Sequence, residues 1–299
     1  IEAIEAVHRI DGRARFSGPQ QLQVALNDGG SLSLDARRIV IATGSRPVVP
    51  DAWRRALGDR LVVNDDVFSW TDLPRSVAVV GAGVIGLELA QAHRRLGCQV
   101  VVLEAFSILP KDDPDAVTVV RKRLLTEGIE IIEGAKLESV GKDGNGIRVT
   151  LASNGHGRHI RGTHLLLAAG RRPNVKDLGL ELAGIDYSST GIRVDQRLRT
   201  TNKRIFAIGD VAGSYQFTHV AGYHAGIVIR NALFNLPAKV DTRAVPWVTY
   251  TDPELSHVGL TEALAKKKDP AAKAVTWPFA ENDRAQAERA TDGFIKVVV

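Results

Sequence analysis

Gly81, Gly83 and Gly86 form the pattern G-x-G-x-x-G, and an acid, Glu104, closes the next apolar run. These residue types at this spacing suit a dinucleotide. The first glycine allows a tight turn, the second lets a pyrophosphate approach the backbone, and the third lets a helix pack closely on a strand. Glu104 would accept hydrogen bonds from adenosine ribose hydroxyls. A 2′-phosphate there would meet a like charge, and Ala105, Phe106 and Ser107 offer no arginine to receive it. The pattern therefore favours NAD over NADP. A glycine-rich turn alone binds nothing in many proteins, and an exposed loop acid is the lesser reading of Glu104. What adds weight is the context of strand, turn, helix, strand and acid.

The elements that must position these residues are legible. Residues 76–80 are apolar and β-branched, as in a buried parallel strand. Residues 84–96 predict a helix with Ile85, Leu89 and Leu96 near one face and Gly97 as its left-handed stop. Its N-terminus would offer unpaired N–H groups and a positive dipole end to a phosphate. Residues 99–103 predict the second strand. Asp113-Pro114 starts another helix ending at Gly128, and residues 129–132 predict the third strand. A hairpin is expected over 136–151, and residues 164–169 return as a buried strand ending at Gly170. Glu88 lies on the first helix and reads from its surroundings as an exposed helix acid or a site residue.

A second candidate site lies outside this segment. Residues 39–42 predict a buried strand broken by Thr43-Gly44-Ser45, and residues 204–208 predict a strand ending in Gly209-Asp210. Ligands of open α/β sheets sit at strand carboxyl ends. Asp210 there serves equally as a polyol acceptor or as a turn cap. A helix over 219–234 carries a small face of Ala221, Gly222, Ala225 and Gly226, which allows close approach to a sheet or a cofactor. Residues 1–34 predict an antiparallel meander, with hairpin chemistry at Asn27-Asp28-Gly29-Gly30. Residues 51–75 read as a connector with a short helix or two. Residues 241–259, with Val245-Pro246 and Asp252-Pro253, read as a linker. A helix over 262–268 and an unpartnered strand over 293–299 suggest the opening of a further domain.

At 299 residues the chain is long enough for two domains. Its net charge of +5 is spread over scattered basic pairs rather than a basic run interleaved with aromatics, which argues against nucleic acid. No stretch suits a membrane span or a signal peptide, and no metal site is expected. One cysteine, Cys98, excludes an intrachain disulfide and suits a reducing cytoplasm; it reads as a small buried apolar residue. The chain begins at Ile1 and holds no methionine, so it reads as a piece of a longer protein.

The segments RRIVIATGSRPVVP, VAVVGAGVIGLELA, AAGRRPN, RIFAIGDVAG, FTHVAGYHAG and VPWVTYTDPELSHVGLTEA occur in that order over nearly the whole chain. Together they resemble the pyridine nucleotide-disulfide oxidoreductases, on the dihydrolipoamide dehydrogenase and mercuric reductase branch. The resemblance implies an α/β fold with a Rossmann-type three-layer NAD domain (76–190) inserted in a split FAD domain (1–50 and 191–240). The start of an α+β dimer-interface domain would follow (241–299). It places Thr43, Gly44, Asp210, Thr218 and His219 at FAD, and Gly81, Gly83, Gly86, Glu104 and Gly170 at NAD. It puts Glu88 beside the nicotinamide, where the family pairs it with a lysine. His219 and His224 are expected in helix-terminus and packing roles, not as bases. The implied activity is electron transfer between NAD(H) and a dithiol or disulfide through FAD in a homodimer. Lipoamide is the leading substrate; mercuric ion or a soluble transhydrogenase activity is the alternative. The family's amino-terminal FAD fingerprint, its Cys-x-x-x-x-Cys pair, the lysine beyond it and the carboxy-terminal His…Glu pair are absent here, so this chain is not expected to carry out the disulfide step itself. An NADH-binding sensor module and a structural α/β domain are the readings from other classes.

Overall fold

A computed structural model describes residues 7–152, 158–213 and 215–299. The chain forms two compact units, Ile1–Arg46 with Arg171–Thr242, and Pro47–Gly170 with Arg243–Val299.

The second unit is built on a five-stranded sheet. Its order is Leu61–Val62, His164–Leu167, Ser76–Val80, Gln99–Leu103 and Glu130–Ile132. Every neighbour pair is parallel. Such strands are apolar on both faces because both faces are covered. Val77, Val79, Val100 and Val102 pack against Leu87, Ala90, Val120 and Leu124 from helices Val84–Arg95 and Pro114–Thr126. Ala78, Val80, Leu165 and Leu167 pack the other way, on Leu57, Ile147, Val149 and Leu151. That face is covered by helix Asp51–Leu57 and an antiparallel sheet of Leu137–Asp143, Gly146–Leu151 and Arg158–Gly162. The architecture is therefore three layers, the third a short helix with a small meander rather than helices alone. Each fully buried Leu or Val contributes about 1.5–3 kcal/mol.

The first unit holds the expected meander, Gly12–Gly18, Gln21–Leu26 and Ser31–Asp35. It also holds a parallel pair, Ile39–Ile41 with Ile205–Ala207, and helix Thr218–Ala232.

Several expectations are corrected. The connector 51–75 holds, besides the expected short helix Asp51–Leu57, the edge strand Leu61–Val62, which is too short for any periodicity to show. The chain returns to the first unit at Arg171, not at Gly191. The reason is packing: Leu180, Ala183 and Ile185 join Phe16, Ile39, Ile41 and Ile205 in one core. The linker 241–259 contains an antiparallel hairpin, Pro246–Thr249 with Leu255–Val258. Its proline opens the strand, where no ladder donor is lost, and Leu255 enters the core of the parallel sheet's unit. The final strand, Phe294–Val298, does have a partner, Ala274–Pro278.

Lys296 on that strand fastens it to helix Pro114–Thr126. Its Nζ donates to Asp113 at 2.9 and 3.0 Å and to Asp115 at 2.5 Å. Burial works against its charge, yet the hydrogen bonds to Asp115 and Asp113 hold the ammonium above the usual lysine range. Lys296→Met leaves the largely buried Asp113 without its cation. Urea denaturation should show a loss of about 2–3 kcal/mol.

Candidate functional site

Strand Ser76–Val80 runs into Gly81, whose φ of +103° suits glycine. Gly81 N–H donates to Leu103 O at 2.9 Å, and Ala168 N–H donates to Val80 O at 2.8 Å. Three neighbouring strands thus deliver their carboxyl ends to the turn. A Cβ on Gly86 would overlap the carbonyl oxygen of Gly81, so helix Val84–Arg95 lies directly on the turn. A Cβ on Gly83 would meet nothing within 4 Å, so the cradle is open there. Gly83 is the N-cap and no side chain caps the helix. Its first-turn N–H groups remain for a ligand.

Glu104 leaves the end of strand Gln99–Leu103 and turns back to the cradle. Its Oε2 accepts Ala82 N–H at 2.7 Å and its Oε1 accepts Phe106 N–H at 3.0 Å. Each oxygen keeps a further lone pair. Gly170, at φ +112°, follows strand His164–Leu167 at the same carboxyl edge, and its carbonyl accepts Val48 N–H at 3.0 Å. The five residues assigned to NAD are therefore gathered on one sheet edge. An open glycine turn, an uncapped helix start and an acid bonded to that turn fit an adenine dinucleotide.

Glu88 lies one helical turn beyond the cradle, half-buried, with Oε1 accepting Tyr250 N–H at 2.7 Å. Burial pushes its carboxyl above the usual range, and the Tyr250 N–H opposes this. Tyr250 escaped sequence reading because its hairpin reads as a linker. One signal was available: Glu88, Gln91 and Arg95 form a polar stripe on an otherwise packed helix. Cys98 is buried, donates to Pro74 O at 2.9 Å, and has its thiol pushed up by burial, in keeping with a packing role.

In the other unit, the parallel pairing of Ile39–Ile41 with Ile205–Ala207 sends residues 43–45 and 209–210 out of one edge. Asn174 holds the first loop. It accepts from Thr43 Oγ1 through its carbonyl at 2.8 Å, and donates from Nδ2 to Thr43 O and from N–H to Gly44 O, both at 2.9 Å. Ser45 Oγ donates to Asp210 Oδ2 at 2.6 Å, and Arg171 Nε donates to Ser45 Oγ at 2.8 Å. Ser45 and Arg171, which sequence reading passed over, thus orient Asp210. Gly209, at φ +65°, sits against Ala221 of the small helix face. Thr218 and His219 open helix Thr218–Ala232 and are exposed; Phe217, its N-cap, gives no side-chain cap, and its ring stacks on His219 at 5.4 Å. A carboxylate at a strand's carboxyl end beside an uncapped helix start fits a flavin dinucleotide.

His224 Nδ1 accepts Gly209 N–H at 3.2 Å in a buried position, so its proton is on Nε2. This is a packing role. Burial lowers its pKa, and burial with the nearby Arg60 cation lowers that of His164, against a smaller opposing effect of Asp59. Both rings stay neutral in the fold where a solvated histidine takes a proton, near about 6.5. Unfolding then takes up protons, so stability falls as pH drops below about 6.5. Denaturant midpoints should be lower at pH 5.5 than at 7.5, and His224→Asn should shrink the difference.

Among the described residues, no group of three or more His, Cys, Asp or Glu could hold a metal, and no helix is long and apolar enough to cross a membrane. The sequence matches the family "Pyridine nucleotide-disulphide oxidoreductase" over residues 2–225 and its dimerisation domain over 245–299. It is 35% identical to a dihydrolipoyl dehydrogenase of Geobacillus stearothermophilus, covering 98% of this chain and 62% of the relative. It is also 35% identical to a mercuric reductase of Streptomyces lividans, covering 97% and 61%. The chain thus spans about three fifths of these relatives' length. The Cu(II) complex of the HOCl-induced flavoprotein disulfide reductase RclA from Escherichia coli superposes with TM-score 0.89 at 31% identity, over 100% of this chain and 67% of that one. LpdA from Mycobacterium tuberculosis gives 0.87 at 29% identity, over 96% and 63%. With family matches over almost its whole length, the chain belongs to the pyridine nucleotide-disulphide oxidoreductases, a family that uses FAD and NAD(P).

Proposed function

We propose that the protein is an FAD-dependent NAD(H):disulfide oxidoreductase, with dihydrolipoamide as its substrate. Two electrons and a proton pass from the dithiol to NAD as hydride, a second proton is released, and the disulfide forms. The observation that carries the NAD half is the Glu104 carboxylate bonded onto Ala82 N–H beside the open Gly83 cradle. When bound, NAD(H) and FAD supply the hydride and electron-pair chemistry. The residues here bind and orient. The start of helix Val84–Arg95 holds the pyrophosphate, Glu104 accepts the adenosine ribose hydroxyls, and Gly170 leaves room at the strand end. Glu88 stands on the nicotinamide side. Asp210, set by Ser45, accepts from the ribityl hydroxyls, with Thr43 and Gly44 lining the same site. The helix start at Thr218 and His219 favours negative charge on the flavin ring.

The thiol pair is not within this chain, which has one cysteine, and that one is buried. Mercuric ion is the second substrate reading, because the mercuric reductase relative is as similar as the dehydrogenase. The match to a dimerisation domain supports a homodimer. The lone buried thiol suits a cytoplasmic location. A sensor module would leave the flavin-side residues without use.

Anaerobic NADH titration of the native protein, followed by visible spectrum, tests the reading. The expected result is a flavin spectrum that gains a long-wavelength charge-transfer band at two-electron reduction. Bleaching without that band would instead support a transhydrogenase-type enzyme, and no flavin would contradict the proposal.

A further inference from the structure

Glu88, Gln91 and Arg95 lie on one face of helix Val84–Arg95, at spacings that bring side chains into line. All three reach the turn of the hairpin Pro246–Thr249 and Leu255–Val258. Gln91 is only 4% exposed. Its Nε2 donates to Asp252 O at 2.9 Å and to Glu127 Oε1 at 3.2 Å, while its Oε1 accepts Asp252 N–H at 2.7 Å. One side-chain amide thus satisfies both backbone groups of one residue, as a neighbouring strand would. Arg95 adds a bond to Asp252 Oδ2 at 2.6 Å. Two residues before Asp252, Tyr250 N–H meets the Glu88 carboxylate.

The other end of the strand is tied to the same site. Trp247 Nε1 donates to Asp112 Oδ1 at 2.8 Å. Asp112 N–H donates to Leu109 O, and Leu109 N–H donates to Ala82 O in the glycine turn, both at 3.1 Å. The strand therefore runs between the turn at one end and Glu88 at the other.

We propose that Gln91 is a positioning residue: its amide fixes residues 250–252 so that Tyr250 N–H holds Glu88, and so sets the nicotinamide end of the dinucleotide site. This rests on the dinucleotide reading given above. A buried glutamine that only fills space would matter equally for every part of the ligand. A positioning one matters for the nicotinamide end alone, because the cradle and Glu104 are held by other bonds.

The test compares NADH with ADP-ribose, which lacks the nicotinamide, as ligands of the 299-residue chain. Gln91→Met keeps the bulk and removes the three hydrogen bonds. NADH binding should weaken about tenfold, on the order of one lost hydrogen bond, while ADP-ribose affinity stays within about twofold. Equal weakening of both ligands, or unchanged NADH binding, would overturn the inference. If Gln91→Met does not fold, Gln91→Glu keeps the acceptor for Asp252 N–H and loses the donor; the same selective loss is expected, and an equal loss overturns it. If the unsubstituted chain binds neither ligand, the dinucleotide reading itself fails and takes this inference with it. ADP-ribose binding with no selective NADH effect removes this inference alone.

Discussion

Gly86→Ala should cost this protein both stability and dinucleotide binding, whereas Gly83→Ala should cost binding with little loss of stability. The two glycines are three residues apart, and their surroundings are opposite. An added methyl at Gly86 would overlap the Gly81 carbonyl and lie 3.5 Å from Ala168 Cβ, with backbone on the crowded side. Backbone cannot rotate aside as a flexible side chain can. The helix would have to lift from the turn, at about 2–4 kcal/mol, and the phosphate-facing N–H groups would lose their common direction. Denaturant unfolding should register the first effect. A loss of NADH affinity beyond about tenfold should register the second. At Gly83 the methyl would enter open space at an ordinary φ of −78°. Stability should then fall by less than about 1 kcal/mol, the usual scale for an N-cap change. The methyl would still stand where a pyrophosphate must come, so NADH binding should fall sharply. Equal stability losses for the two variants would contradict the geometry of the turn.

Glu104→Ala should weaken NADH binding by about 10- to 100-fold, the scale of one or two hydrogen bonds to a charged acceptor. The carboxylate has two tasks. It ties Ala82 N–H and Phe106 N–H into the shape of the cradle, and in the proposed site its other lone pairs accept the ribose hydroxyls. NADPH should lose less than NADH, because the variant also removes the repulsion of a 2′-phosphate, so the preference between the two should narrow. Binding isotherms for both nucleotides check this. An unchanged NADH affinity would assign Glu104 to loop structure only.

The glycine turn and its acid were readable because each rests on local steric demands. A positive φ at Gly81 and close packing at Gly86 leave their mark in the residue type itself. The apolar runs of the central strands were readable for the same reason, since burial on both faces permits little else. The strand Leu61–Val62 was hidden because two residues show no period. The hairpin 246–258 was hidden because two X-Pro bonds mimic a linker. Its role depends on Gln91 and Glu88, which come from a helix more than a hundred residues away. Ser45 and Arg171 were missed likewise, because their contact with Asp210 is made only by the fold. Even odds between polyol acceptor and turn cap were all that the Gly-Asp strand end could offer alone.

The most direct measurement is a calorimetric titration of this chain with NADH and, in parallel, NADPH. The expected result is one site per chain, with NADH bound at least about tenfold more tightly, a difference of about 1.4 kcal/mol. No binding of either nucleotide by folded protein, or equal affinity for both, would contradict the assignment of the Gly81–Gly86 turn and Glu104 to NAD.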